Sequence, residues 1–180
     1  MVVLHHGFQG NNLDMLSLKH YFSLKYPKNY YHCAKANEEN SEEEIGLMGK
    51  KLALEIKEFI QVYVPGRKIS KMSFVGHSMG GLIIRASFPH LKEYKHKMGC
   101  FMTVSTPHLG DNKGDSKLVE FGTPKTNVGF NILTNWKKSQ SLVQIGMKEQ
   151  VSDPYDKFLY KLSEMEGMNW FRHIVLVSSP

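Results

Sequence analysis

No part of this chain limits its fold more than the run Lys71-Met72-Ser73-Phe74-Val75, Gly76-His77-Ser78-Met79-Gly80, Gly81-Leu82-Ile83-Ile84-Arg85-Ala86. The first five residues have a strand pattern, and the last six begin a helical pattern that reaches about Phe88. Between them lies one sharp turn. A chain reversing from strand to helix in so few residues needs positions without side chains where backbones meet, and Gly76 and Gly80 stand two residues either side of Ser78. Such a turn lifts a serine hydroxyl above the end of a sheet and sets it at a helix N-terminus, where N–H groups and the helix dipole favour developing negative charge. Ser78 is therefore the candidate nucleophile, and the Met79 N–H is a candidate oxyanion donor.

A glycine-flanked serine alone occurs often by chance, so a second motif matters. Met1 to His5 is a short apolar run that delivers His6-Gly7-Phe8-Gln9-Gly10 as a Gly-rich loop. A second oxyanion donor comes from such a loop after an earlier strand. The Phe8 N–H is the choice, with Gly7 allowing close backbone approach.

The rest of the chain supplies the frame. Asn11 and Asn12 offer an N-cap to a helix with Met15, Leu18 and Phe22 on one face and Asp14 in its first turn, ending before Pro27. A strand over 29–34 follows. Ser41 with Glu44 reads as a capping box before Ile45, Met48, Leu52, Ile56, Phe59, Ile60 and Tyr63, a helix closed by Pro65-Gly66. Gly99 to Ser105 is a further strand, leading into Thr106-Pro107-His108-Leu109-Gly110. Residues 111–168 lack strand patterning and read as a mostly helical insertion or lid. Within it, Asp153-Pro154 is an N-cap and first position for a helix carrying Phe158, Leu159 and Leu162, with Gly167 as its stop. Phe171 to Ser179 closes the chain with Ile174-Val175-Leu176-Val177 unbroken, the pattern of a strand buried on both faces. Strands alternating with helices predict a doubly wound, mostly parallel sheet with the helical insertion before its last strand.

Composition narrows the classes. At 180 residues the chain suits one domain with a core of its own, and 41% hydrophobic with 22% charged residues fits a folded globular protein. The net charge of +6 comes from scattered lysines without a basic stripe, which argues against nucleic acid. Cys33 and Cys100 lie on or beside strands as small apolar residues, which fits a reducing compartment better than a disulfide. No apolar run approaches a membrane span and no signal-peptide pattern opens the chain, so it reads as cytoplasmic. It starts inside a strand-like segment, and both ends read as those of a fragment.

Three segments together resemble a known family: His6-Gly7-Phe8-Gln9-Gly10-Asn11, Phe74 through Arg85, and Ser105-Thr106-Pro107-His108-Leu109-Gly110. In this joint order they resemble the eukaryotic putative serine esterases, lipase-like α/β-hydrolases catalogued as a domain of unknown function. The resemblance extends to Trp136-Lys137-Lys138-Ser139, Asp153-Pro154, Phe158 to Leu162 and Ile174 to Ser179, nearly the whole chain. It implies the α/β-hydrolase fold over 1–180, ester or lipid-ester hydrolysis through an acyl-enzyme at Ser78, and no metal or organic cofactor.

In this fold an acid and then a histidine follow the serine in the chain, the acid just after the strand that closes this sequence. By the resemblance both would lie beyond Pro180. Internal substitutes fit poorly. His173 begins the last strand, roughly 15 to 20 Å from its catalytic end at about 3.3 Å per residue. His77 points away by strand alternation. His108 resembles a motif residue that is not the base, and Asp111 or Asp115 would serve only if the acid followed the preceding strand. His5, His6, His90 and His96 have no metal-ligand spacing and read as surface or loop residues. Phe130, Ile132, Leu133, Trp136, Lys137 and Lys138 read as core packing with a solvated lysine face more readily than as a lipid-facing lid, so membrane-surface contact stays open. Two competing functions also stay open: a non-catalytic interaction module on the same fold, and an acyltransferase whose acyl-enzyme is resolved by an alcohol.

Overall fold

The computed structural model describes residues 1–64, 66, 68–110 and 139–178. Five parallel strands, β1 (Val2–His5), β2 (Tyr31–Cys33), β3 (Met72–His77), β4 (Met98–Val104) and β5 (His173–Val177), form one sheet in the order β2-β1-β3-β4-β5. The helices between them are α1 (Leu16–Lys25), α2 (Ile45–Tyr63), α3 (Gly80–Ser87), α4 (Gln140–Ile145) and α5 (Phe158–Glu164). This is the doubly wound α/β arrangement that the alternating pattern implies.

Strand alternation sorts the core onto two faces. Val3, Phe74 and Phe101, neighbours across β1, β3 and β4, pack with Ile45, Met48, Leu52 and Ile56 of α2 and Leu82 and Ile83 of α3. Leu4, Val75 and Met102, one residue further on, pack with Met15, Leu18 and Phe22 on the opposite face. Phe171 joins the larger core, its ring 5.0 Å from Phe88 and 5.8 Å from Phe74, and so anchors the chain just before β5.

Asn11 caps the first helical turn, its side chain accepting from the Leu13 N–H while the Asp14 carboxylate accepts from the Asn11 N–H. That turn, Asn12–Met15, is 3₁₀ and runs into α1. The capping box expected at Ser41 and Glu44 does not form. Glu44 is the N-cap residue of α2 but makes no side-chain cap bond, and the Ile45 N–H donates instead to Gln144 Oε1 of α4 at 2.8 Å. Ser41 is occupied elsewhere: its hydroxyl accepts from the Gln9 N–H at 2.9 Å, and its carbonyl accepts from the Ser141 hydroxyl at 2.8 Å.

β5 also departs from expectation. All five of its residues are exposed, Leu176 at 57%, although the unbroken apolar run reads as doubly buried. The reason is position: β5 is the edge strand beyond β4, and no described element covers either of its faces. Asp153 does cap a turn at Pro154, but that turn is 3₁₀ and ends at Lys157, whose extended backbone separates it from α5. Gly167 lies beyond the end of α5, at φ +140°, and introduces a 3₁₀ turn over Met168–Trp170. Of the expected insertion, residues 111–138 lie outside the described residues, and with them Asp111, Asp115, Phe130, Ile132, Leu133, Trp136, Lys137 and Lys138. Among the described residues no helix is long and apolar enough to cross a membrane.

Candidate active site

The chain leaves β1 for β2 on one side and returns to β3 on the other, so the strand order reverses between β1 and β3. Loops leaving the C-terminal ends of two such strands part and open a crevice, the usual ligand position in open parallel sheets. The two loops here are His6-Gly7-Phe8 and the turn at Ser78.

Only Ser78 and Met79 separate β3 from α3, and Ser78 has φ +51°, the left-handed region that non-glycine residues rarely occupy. The turn is held by hydrogen bonds. The Ser78 N–H donates to the Val104 carbonyl at 2.9 Å, and the Ser78 carbonyl accepts from the Thr106 hydroxyl at 2.7 Å and the Gly81 N–H at 3.2 Å. A Cβ on Gly76 would lie 2.6 Å from the Gly81 Cα, and one on Gly80 would lie 2.3 Å from the His6 carbonyl oxygen. Neither place has room for a side chain. The glycines flanking Ser78 thus allow β3, α3 and the first loop to touch.

Gly7 brings that loop onto the serine. A Cβ there would stand 2.9 Å from Ser78 Cβ and 3.4 Å from its Oγ, so the backbone at Gly7 lies against the serine side chain. Among the described residues no backbone acceptor takes the N–H of Phe8 or of Met79. Gln9, at φ +52°, extends the loop and is tied by its N–H to Ser41.

His5 and His6, expected at the surface or in a loop, are buried, at 0% and 1% exposure. His5 shares the α2 face with Val3 by alternation, and its Nε2 accepts from the Asn37 amide at 3.0 Å. Its Nδ1 then carries the proton and donates to the His6 carbonyl at 2.8 Å. Burial, then the neighbouring His6, lowers its pKa to about 4, so the ring is neutral and serves to hold the loop. Counting from Val3 in steps of two would have revealed this residue; its histidine identity alone does not.

His108 is also a structural ring. Arg85 Nη1 donates to its Nδ1 at 3.2 Å, which leaves the proton on Nε2, directed to Thr103 Oγ1 at 3.0 Å. Burial, then Arg85, lowers its pKa to about 4. With both nitrogens engaged, the geometry leaves neither for the Ser78 hydroxyl. His77 is exposed, His173 pairs with Cys100 at the far end of β5, and Asp153 accepts from the Tyr155 N–H as a cap. Among the described residues no three His, Cys, Asp or Glu side chains converge as metal ligands. The cavity beside Gln9, about 540 Å³, is lined by polar residues, Glu38, Glu39, Ser41, Glu42 and Glu43 among them, and so is a polar space rather than an acyl-chain pocket.

A family model described as putative serine esterase, a domain of unknown function, matches residues 1–180. The fold is similar to Bacillus licheniformis lipase BlEst2 in its mature form, at 16% identity and TM-score 0.52 over 89% of this chain and 61% of that one. The propeptide form of that lipase matches at TM-score 0.55 and 16% identity over 96% of this chain and 34% of that one. A Listeria innocua gene product matches at TM-score 0.53 and 11% identity, covering 99% of this chain and 83% of its own. This chain therefore spans less than two thirds of the lipase it resembles, and at such identities the likeness shows the fold, an α/β-hydrolase sheet.

Proposed function

This chain belongs to the putative serine esterase family, and on that premise we propose that its protein hydrolyses carboxylic esters through an acyl-enzyme at Ser78. The observation that carries the reading is the left-handed Ser78 between β3 and α3 with the Gly7 loop against its side chain. Backbone strain of this kind on a non-glycine residue costs on the order of 1–3 kcal/mol and persists where surrounding structure enforces it. At the C-terminal end of a central strand, it sets the hydroxyl where a substrate in the crevice meets it.

In the proposed reaction Ser78 Oγ bonds to the ester carbonyl carbon as its proton passes to a base. The carbonyl π electrons move to oxygen, and that oxyanion is held by the Phe8 and Met79 N–H groups. Collapse of the intermediate breaks the bond to the alcohol, which leaves protonated. Water then attacks the acyl-enzyme and releases the acid. No histidine among the described residues is hydrogen-bonded to the Ser78 hydroxyl. The chain order of this fold, serine then acid then histidine, supports a base and acid supplied after β5. The substrate proposed is a small-molecule or lipid ester.

In the intact protein a fluorophosphonate should label Ser78, and Ser78→Ala should lose p-nitrophenyl ester turnover while keeping its unfolding midpoint. Label mapped to a different serine, or full turnover by Ser78→Ala, would overturn the assignment.

A further inference from the structure

We propose that Thr106 is a positioning residue for the nucleophile, its hydroxyl holding Ser78 in the left-handed conformation; this rests on the reading of Ser78 above. The segment Ser105-Thr106-Pro107-His108 takes no direct part in the chemistry just derived, yet its contacts converge on the turn. Both ends of Ser78 are tied to the exit of β4, its N–H to the Val104 carbonyl at 2.9 Å and its carbonyl to the Thr106 hydroxyl at 2.7 Å. A main-chain bond to β4 is available to any residue at position 78. The carbonyl bond is different, because it needs a side-chain donor at one place.

Thr106 is fixed there from several sides. A Cβ on Gly81 would lie 2.3 Å from Thr106 Oγ1 and 2.7 Å from its Cγ2, so the first turn of α3 packs directly on this side chain. The residue before it, Ser105, is itself left-handed at φ +52°, and its N–H donates to the Val177 carbonyl of β5 at 2.8 Å. Beyond it, the His108 ring is pinned between Thr103 and Arg85, while the His108 N–H donates to the Thr106 carbonyl at 2.9 Å. Thr106 is thus a short link between a braced loop and a strained nucleophile. Without the hydroxyl, the Ser78 carbonyl keeps the Gly81 N–H as donor, so it stays satisfied while losing the bond that sets its direction.

The test uses the intact protein with Thr106→Val, which keeps shape and removes the hydroxyl, and Thr106→Ser, which keeps the hydroxyl. Thr106→Ala is the second deletion should Thr106→Val not fold. The readouts are the rate of fluorophosphonate modification at Ser78, the unfolding midpoint, and φ of Ser78 in crystal structures of each variant. Misplacing a reacting atom by about 1 Å costs on the order of a hundredfold. The deletion variants should therefore be modified roughly tenfold to a hundredfold more slowly, with Thr106→Ser close to wild type and the midpoints alike. A deletion variant modified at the wild-type rate, or Thr106→Ser as slow as Thr106→Val, overturns the proposal. Should the wild type go unlabelled at Ser78, the nucleophile reading falls and the crystal structures decide the matter for Thr106. A φ that leaves the left-handed region on deletion and returns in Thr106→Ser supports it, and a φ unchanged by deletion overturns it.

Discussion

Gly80→Ala tests the close approach on which the candidate site depends. The added Cβ would lie 2.3 Å from the His6 carbonyl oxygen, 2.6 Å from that of His5 and 3.1 Å from the His5 carbonyl carbon. Ordinary contact between heavy atoms lies near 3.5 Å, so the end of β1 or the start of α3 must move by about 1 Å. Neither moves freely. The His6 carbonyl is held by the His5 ring, the loop beyond it by Ser41, and α3 packs into the core through Leu82 and Ile83.

Overpacking of a rigid contact costs about 1–3 kcal/mol, and backbone against backbone belongs at the upper end. At roughly 2–4 °C per kcal/mol for a chain of this size, Gly80→Ala should melt about 5–10 °C below wild type. The displaced part is the loop carrying Gly7 and Phe8, so fluorophosphonate labelling of Ser78 should fall on the order of a hundredfold. Gly46→Ala, where the new Cβ would meet only Phe158 Cε2 at 3.5 Å and Glu44 Oε1 at 3.9 Å, is the matched control. Within α2 the change should be neutral or stabilising by up to about 1 kcal/mol. Differential scanning fluorimetry and timed labelling of both variants decide the question. A Gly80→Ala protein that melts and labels like wild type would show that β1, β3 and α3 do not meet as described.

Two further outcomes follow from the same contacts. Ser41→Ala removes the acceptor of the Gln9 N–H, and should cost about 1 kcal/mol in urea unfolding and slow the labelling of Ser78 without reducing helicity; a drop in helical circular dichroism with unchanged labelling would mean that Ser41 caps α2 after all. Acid should weaken the fold through His5 and His108, whose pKa values near 4 lie below the unfolded value near 6.5. Between those values the unfolded chain binds more protons, so this stability is fully present above pH 6.5 and is lost as pH falls towards 4. Urea midpoints measured from pH 7.5 to 4 should decline over that window, and a flat profile would show that neither ring is held neutral in the fold.

The frame of the sheet was legible because its signals are local. Apolar runs ending in glycine-rich loops marked β1 and β3, and helical spacing from Ile45 to Tyr63 marked α2. Two readings failed where a local rule was outcompeted from a distance. Ser41 and Glu44 have the spacing of a capping box, but the helix starts three residues later than that box requires, with Glu44 as its N-cap, and Gln144, 99 residues from Ile45, takes the first helical N–H. Ile174 to Val177 have the composition of a doubly covered strand, yet composition records what a strand can bury and not whether anything lies over it.

The candidate site was legible in its glycines and serine and illegible in its supports, for one physical reason. A left-handed serine between strand and helix constrains residues two positions away, so Gly76 and Gly80 announce it in sequence. What keeps the strained conformation from relaxing is contributed by the ends and exits of other strands: Val104 at the end of β4 and Thr106 beyond it, the carbonyls of His5 at the end of β1 and of His6 beyond it, and Val177 of β5 through Ser105. These residues are near Ser78 only because five parallel strands bring their C-terminal ends to one edge. Strain at a nucleophile is held by over-determination, several contacts each too weak to impose it alone. It follows that single losses at Thr106 or Ser41 should loosen Ser78 while the sheet still forms, whereas a side chain at Gly80 wedges strands and helix apart and should disturb both.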